Sequence, residues 1–153
     1  MLLRALLAFV ALPGIVAFAV PAILSWRSTL QPGPLGISVF AAGLAVLLWC
    51  VGAFYVVGKG TLASWSPPRK IVTVGLYRLS RNPMYVGVLL VITGWALLFR
   101  SPLLAGYAAA VALVFHLQLL LHEEPWLART FGDEWAAYRK RVPRWIGLPW
   151  ASR

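Results

Sequence analysis

The four acidic side chains of this sequence are its first chemical signal. They lie within twelve consecutive positions, at Glu123, Glu124, Asp133 and Glu134, and the 122 preceding residues contain none. Adjacent carboxylates at the end of a long apolar stretch are candidates for function, because an anionic lipid surface repels them. Successive helical residues point about 100° apart, so Glu123 and Glu124 should have different partners. One is expected to face a pocket and the other a basic loop; a purely structural ion pair with Arg78 or Arg81 is the alternative.

The basic middle loop supplies a second set of candidates. Tyr77 and Tyr85 carry aromatic faces and hydroxyl groups that suit a base or a cation. Asn82 and Pro83 are typical of a helix start, with Asn82 as the N-cap and Pro83 as the first helical residue. The free N–H groups of that first turn, together with Arg81, are expected to form an anion site.

An anion site, aromatic faces and a carboxylate pair are a plausible set of contacts for S-adenosylmethionine. Its carboxylate requires N–H donors, its ammonium and ribose hydroxyls require a carboxylate, and its adenine requires an apolar or aromatic slot. A nucleotide or an acyl headgroup would meet the same set, so these residues leave the ligand open. No metal is expected, because two histidines are too few for a His-based site without carboxylate help.

The composition places these candidates in a membrane protein. The chain is 61% hydrophobic and 12% charged, with a net charge of +10 and a mean hydropathy of +0.80. Four stretches are long enough, or nearly so, to cross a hydrocarbon core of about 30 Å: 5–24, 35–57, 83–99 and 103–121. Pro13 and Pro21 should kink the first, for which a signal peptide over 1–22 is the alternative. The third is short, which predicts local bilayer thinning or a helix shielded by its neighbours.

The sequence predicts an all-α integral membrane protein of one domain, with an N-terminal hairpin (1–57) and a cofactor-binding core (58–153). About four transmembrane helices form two hairpins. Twelve of the fourteen basic residues lie on one side, and Arg27 and Arg100 on the other, so both termini and the middle loop are expected to be cytoplasmic. A stripe at steps of four, three and four predicts a C-terminal cytoplasmic interfacial helix. The stripe consists of Phe131, Trp135, Tyr138 and Val142.

The motifs between residues 69 and 146 resemble those of the isoprenylcysteine carboxyl methyltransferase and phospholipid methyltransferase group. That family's pattern runs L-V-T-x-G-x-Y, R-H-P-x-Y-x-G, E-E-x-x-L, F-G-x-x-Y-x-x-Y and a terminal V-P. Here the stretch 71–87, the pair at 123–124, the run from Phe131 to Tyr138 and Val142-Pro143 follow in the same order.

The resemblance implies a membrane methyltransferase that uses S-adenosylmethionine and acts at the cytoplasmic face, in a bacterial cytoplasmic membrane. It implies a lipophilic small-molecule or lipid acceptor with a carboxylate, amine or thiol, contact with membrane lipids, and no nucleic acid. The implied cofactor-binding residues are Lys70, Ile71, Val72, Tyr77, Arg81, Asn82, Pro83, Met84, Tyr85, Glu123 and Glu124. A structural role stays open for Arg81 and Glu124. No catalytic residue is assigned, although Glu124 or a water is the nearest candidate base for an amine acceptor.

Two departures from the family pattern bear on function. Asn82 stands where the isoprenylcysteine enzymes have a histidine, and an amide can donate a proton in a hydrogen bond but cannot titrate. Leu119 stands four residues before the first glutamate, where those enzymes have an arginine that is associated with the prenylcysteine carboxylate. A carboxylate acceptor would lose that counter-ion here.

Two other functions fit parts of the sequence. An NADPH-dependent membrane reductase of the sterol or fatty-acyl type has a similar Y-G-x-x-W-x-x-Y tail, which Trp135 fits. A non-enzymatic small membrane subunit would use Glu123 and Glu124 only to neutralise the basic loop.

Overall fold

The computed structural model describes residues 10–53, 71 and 73–147. The regular secondary structure among these residues is helical, with no strand. Helix α1 has a π-helical part, Val10–Ala19, and an α-helical part, Val20–Leu24. Helices α2 (Pro34–Ala53) and α3 (Pro83–Phe99) follow, with a short 3₁₀ turn at Gly75–Arg78 before α3. Helix α4 (Pro102–Gln118) continues through a π-helical turn, Leu119–Glu123, into α5 (Glu124–Arg141).

Two of these helices are long and apolar enough to cross a membrane. They are Pro34–Ala53 and the continuous helix Pro102–Arg141, and two shorter apolar helices, Pro13–Leu24 and Pro83–Phe99, accompany them. The all-helical prediction is confirmed for the described residues. Positions 5–9 and 54–57 of the predicted spans lie outside these residues.

The prolines of α1 coincide with an altered helix type. Pro13 lies within the π-helical part, and Pro21 lies in the first turn of the α-helical part. A proline inside a helix removes one backbone N–H donor and crowds the carbonyl one turn before it. The predicted disturbance of the first span therefore takes the form of wide turns around Pro13 that give way to α-helix at Val20.

Helices α2 and α3 pack so closely that glycine is required at their contact. A Cβ atom on Gly43 would lie 2.6 Å from the backbone nitrogen of Val91, and one on Gly94 would lie 2.7 Å from the Cα of Phe40. Small residues of this kind let two membrane helices approach at backbone distance. Helix α3 also contacts α1 and α4, so the shielding predicted for the short third span is confirmed.

The connections between the described helices lie at two ends of the helix bundle. At one end the Gln31 N–H donates to the carbonyl of Leu98 at 2.7 Å, and Arg100 adopts a left-handed conformation (φ 45°) in the short connection to α4. The other end, here called the polar end, comprises residues 73–85 and 122–147. The predicted candidates that are described lie there, with Ile71 beside them.

Helix α5 is the helix that the aromatic stripe predicts at the C-terminal end, and its interfacial position stays a prediction. It continues directly from α4, and its backbone leaves helical geometry at Gly132 (φ 48°, ψ −118°). Trp135, Tyr138 and Val142 are buried and pack with Ile71. The stripe is therefore one face as predicted, but it packs against the protein, where Ile71, Tyr77 and Arg81 contact it. The charged residues off the stripe, Asp133, Arg139, Lys140 and Arg141, are exposed as predicted.

We predict that Gly43→Leu lowers the free energy of unfolding by about 1–3 kcal/mol, the usual cost of overpacking a tight contact. The added side chain must displace the backbone at Val91. Thermal unfolding of the purified protein measures the loss. The matched control is Gly52→Ala in the same helix, where a Cβ meets nothing within 4 Å. An unchanged midpoint for Gly43→Leu would contradict the observed helix contact.

Candidate functional site

Glu124 lies between two arginines at the polar end. Arg144 makes a two-point contact, in which its Nε donates to Oε1 at 2.7 Å and its Nη2 donates to Oε2 at 2.9 Å. Arg81 places Nη1 3.0 Å from Oε1 of the same carboxylate. That nitrogen lacks the alignment of a hydrogen bond, so the Arg81 contact is an ion pair.

Burial makes this charge cluster sensitive to the loss of any member. The exposed fractions of the Arg81, Glu124 and Arg144 side chains are 7%, 10% and 28%. Burial favours a higher pKa for Glu124, but the hydrogen bond from Arg144 and the two guanidinium charges outweigh it, so the net pKa is lowered. The Arg81 guanidinium also lies 5.3 Å from the centre of the Trp135 ring. A cation over an indole face is a favourable contact.

Glu123 has a different environment from its neighbour. Its carboxylate accepts a hydrogen bond from the Tyr85 hydroxyl and a long one, at 3.5 Å, from the side chain of Gln118. The Tyr85 ring stacks on Phe115, with centroids 4.2 Å apart. The apolar stretch that begins in α4 ends at Leu121, within the π-helical turn. Just beyond it, burial raises the pKa of Glu123 against the opposing effect of these hydrogen bonds. Glu123 is thus tied to the start of α3.

The two adjacent glutamates therefore have separate partners, as the helical geometry predicts. The ion pair proposed between the glutamate pair and Arg81 is present, and it belongs to Glu124. Sequence reasoning missed Arg144 as the second partner. The sequence does show that Arg144 directly follows the Val142-Pro143 motif, which could have marked it as a candidate partner. Arg78, the other predicted partner, is exposed.

Asn82 occupies the predicted N-cap position, and Pro83 is the first residue of α3 as predicted. The prediction that the Asn82 side chain caps the helix is wrong, because this side chain makes no cap hydrogen bond. Its Nδ2 instead donates to the carbonyl of Arg144 at 3.0 Å. The amide that stands where the isoprenylcysteine enzymes have histidine thus donates a hydrogen bond to the backbone of Arg144.

Residues 142–147, here called the C-terminal strap, lie against the turn that precedes α3. The Arg81 N–H donates to the carbonyl of Pro143 at 2.9 Å, and the Gly147 N–H donates to the carbonyl of Leu79 at 3.2 Å. Trp145 reaches α4, where its Nε1 donates to Nδ1 of His116 at 3.4 Å. The strap therefore joins the α3 turn to α4 and α5.

Tyr77 is buried beneath the turn. Its ring packs against Cys50 of α2, and its carbonyl accepts a hydrogen bond from the Tyr138 hydroxyl at 2.7 Å. Burial raises the pKa of the Tyr77 hydroxyl, so the phenol is neutral. Gly75 has φ 57°, and a Cβ there would collide with the Trp49 indole. This close approach fixes where Tyr77 enters the helix bundle.

The other predicted cofactor residues are distributed around the same end. Ile71 is half-buried against the α5 stripe, and Met84 packs against both Tyr77 and the core between the helices. Lys70 and Val72 lie outside the described residues. Within the described ranges no group of three His, Cys, Asp or Glu side chains could hold a metal ion. Among the described residues, the Glu123 carboxylate, the Tyr85 hydroxyl and the first turn of α3 are polar groups that could hold a cofactor.

Comparison with known proteins identifies relatives of this chain. The sequence model of the phospholipid methyltransferase family matches residues 34–134. Protein-S-isoprenylcysteine O-methyltransferase B of Arabidopsis thaliana is 32% identical over 83 residues, which are 54% of this chain and 41% of the relative. The Schizosaccharomyces pombe protein-S-isoprenylcysteine O-methyltransferase is 35% identical over 78 residues, 51% of this chain and 33% of the relative.

A bacterial relative covers more of the chain. The cobalt-zinc-cadmium resistance protein CzcN of Cupriavidus metallidurans is 32% identical over 111 residues, 72% of this chain and 45% of the relative. The matches thus span less than half the length of each of these three relatives. No solved structure matches the chain.

We predict that Glu124→Gln destabilises the protein by about 3–5 kcal/mol, because it leaves a buried arginine without its counter-charge. The pKa of Glu124 is lowered from its ordinary value of 4.5. The carboxylate therefore contributes its full stability above about pH 4.5, and the contribution is lost as the pH falls through the lowered pKa. The difference in thermal midpoint between wild type and variant should shrink below that pH.

Glu134→Gln is the matched control, since Glu134 is an exposed carboxylate on the same helix. Its stability should stay within about 0.5 kcal/mol of wild type. A difference between wild type and Glu124→Gln that is small at neutral pH, or that grows as the pH falls, would contradict the assignment of the ion pair.

Proposed function

The chain belongs to the phospholipid methyltransferase family, and from that premise we propose that it transfers a methyl group from S-adenosylmethionine to a lipophilic acceptor at a membrane. Two relatives named as protein-S-isoprenylcysteine O-methyltransferases support the proposal. The observation that carries it is the environment of Glu123. This carboxylate is partly buried at the end of an apolar helix, and among the described residues no cation forms an ion pair with it.

Glu123 and the start of α3 supply charges of opposite sign at one place. A carboxylate suits the ammonium group or the ribose hydroxyls of S-adenosylmethionine. The first turn of α3 has no side-chain cap, so the N–H groups of Met84 and Tyr85 suit the carboxylate of the same ligand. Tyr85 connects the two features, because it belongs to that turn and donates to Glu123. The fit supports the predicted cofactor contacts at Asn82, Pro83, Met84, Tyr85 and Glu123.

We propose that Arg81 and Glu124 support this site without contacting the cofactor. They neutralise each other within a buried cluster and hold the two chain segments that carry the contact residues. Ile71 and Tyr77 remain proposed contacts, and so do Lys70 and Val72. We assign all of them to one membrane domain whose core is 58–153.

Bound S-adenosylmethionine supplies a methyl group that is activated by attachment to a sulfonium. An acceptor held in line with the carbon–sulfur bond would take that methyl group with its own lone pair, and the bonding electrons would stay on sulfur. The protein's contribution is alignment and the exclusion of water. Tyr85 stacked on Phe115 covers the α3–α4 side of Glu123 with aromatic surface. An acceptor that reacts as an ionised carboxylate or a thiolate requires no base.

An amine acceptor would require a base, and Glu124 is poorly suited to that role. Its pKa is lowered and its oxygens are occupied by Arg81 and Arg144. A water molecule is the simpler candidate. Leu119 is 1% exposed at the position where the isoprenylcysteine enzymes have arginine. A carboxylate acceptor therefore lacks a counter-ion at that position.

We propose that the chain crosses a bacterial cytoplasmic membrane several times with the polar end in the cytoplasm. The exposed residues Arg78, Arg139, Lys140 and Arg141 lie at this end, whereas Arg27 and Arg100 lie at the other. This asymmetry supports the orientation, because basic loops are retained in the cytoplasm. The acceptor then enters laterally from the bilayer past the exposed Leu120 and Leu121.

Calorimetric titration of S-adenosylmethionine into the purified protein tests the proposal. We expect saturable binding by wild type and a dissociation constant about 10- to 100-fold higher for Glu123→Gln, since a hydrogen bond to a charged group contributes about 1.5–3 kcal/mol. Glu134→Gln, which removes an exposed carboxylate of α5, should bind as wild type does. Absence of binding by wild type would contradict the proposed function, and unchanged binding by Glu123→Gln would contradict the role of Glu123.

A parallel thermal-shift titration separates the methyltransferase from a reductase. A ligand held only by the native state raises the unfolding midpoint. We expect a rise with S-adenosylmethionine and none with NADPH, and the reverse result would favour the reductase.

A further inference from the structure

Arg144 contacts both chain segments that carry the proposed cofactor contacts. Its guanidinium binds both oxygens of Glu124, the immediate neighbour of Glu123. Its backbone carbonyl accepts a hydrogen bond from Nδ2 of Asn82 at 3.0 Å and a longer one, at 3.4 Å, from the hydroxyl of Ser80. One residue of the C-terminal strap thus holds the start of α5 and the turn before α3 at the same time.

We propose that Arg144 is a positioning residue for the cofactor site, an inference that rests on the proposed function. Its side chain acts through Glu124 and its backbone through Asn82, and together with the hydrogen bond from Tyr85 to Glu123 it sets the distance between the Glu123 carboxylate and the N-terminal turn of α3. A ligand that bridges these two features requires that distance to be fixed before it binds.

The geometry of Arg144 favours a positioning role over a general effect of its charge. Its planar guanidinium makes two parallel contacts with Glu124, which fix orientation as well as separation. Arg81 lacks an aligned hydrogen bond to the same carboxylate, so it supplies charge without the same control of direction. Because Glu124 and Glu123 are consecutive in a helix, holding Glu124 restrains the backbone from which the Glu123 side chain extends, while Tyr85 holds the Glu123 carboxylate itself.

The strap also determines how the Asn82 amide is oriented. An amide can meet a carbonyl only with its NH₂ group, so the contact with Arg144 directs the Asn82 carbonyl oxygen to the opposite side. The N–H of Asn82 donates to the Ser80 hydroxyl at 3.0 Å, and the N–H of Arg81 donates to the carbonyl of Pro143 at 2.9 Å. Hydrogen bonds therefore join the strap to four consecutive residues before α3, which are Leu79, Ser80, Arg81 and Asn82.

Calorimetry distinguishes a positioning role from a purely structural one. The fitted stoichiometry reports the folded fraction of the protein, whereas the dissociation constant reports the affinity of the molecules that are folded. We expect Arg144→Gln to raise the dissociation constant for S-adenosylmethionine at least about ten-fold at unchanged stoichiometry, because the ligand must then order the two segments as it binds. Arg144→Lys, which keeps the charge but loses the two-point contact, should fall between wild type and Arg144→Gln.

Arg141→Gln is the matched control, because it removes an exposed arginine three residues away and should leave the dissociation constant unchanged. The double variant Glu124→Gln/Arg144→Gln tests the route of the effect. If the Arg144 side chain acts through Glu124, the double variant should bind within about two-fold of Glu124→Gln, because Arg144 then has no carboxylate left to position.

The outcomes separate the two proposals. Binding by wild type together with an unchanged dissociation constant in both Arg144 variants overturns the positioning role and leaves the proposed function standing. An equal loss in Arg141→Gln also overturns it, because charge alone would then explain the effect. Absence of binding by wild type overturns the proposed function and the positioning role with it.

Discussion

The ion pair of Glu124 with two arginines is the contact on which the polar end depends. The Arg81 and Glu124 charges are largely removed from water, which costs several kcal/mol per ion unless partners replace the lost hydration. Arg81 comes from the turn before α3, and Arg144 comes from the C-terminal strap. Three segments that are far apart in sequence must therefore meet at one carboxylate for the cluster to be paired.

This pairing gives the neighbouring glutamate a different chemical character. With the two arginines engaged by Glu124, Glu123 lies against Tyr85 and Gln118, both of which are neutral. A carboxylate in such surroundings can neutralise a cationic or hydroxyl-rich ligand, whereas one already held by two guanidinium groups cannot. Two adjacent residues of one type thus separate into a supporting residue and a candidate binding residue.

Much of the fold could be predicted because it depends on local signals. The apolar run and Asn82-Pro83 predict α3 with the bounds that the structure has, 83–99. The long-range contacts were not predictable in this way. From the sequence, several arginines could have paired with Glu124. Arg144 is a partner because the strap runs beside the turn before α3. The side chain of Asn82 fits a helix cap by type, but a carbonyl of the strap competes for it.

A structure determined with bound S-adenosylhomocysteine, the product that remains after methyl transfer, tests the division between the two glutamates most directly. We expect the Glu123 carboxylate to lie within hydrogen-bond distance of the ligand. We also expect Glu124 to keep its contacts with Arg81 and Arg144. A ligand bound by Glu124, with either arginine turned away from that carboxylate, would contradict this division of roles.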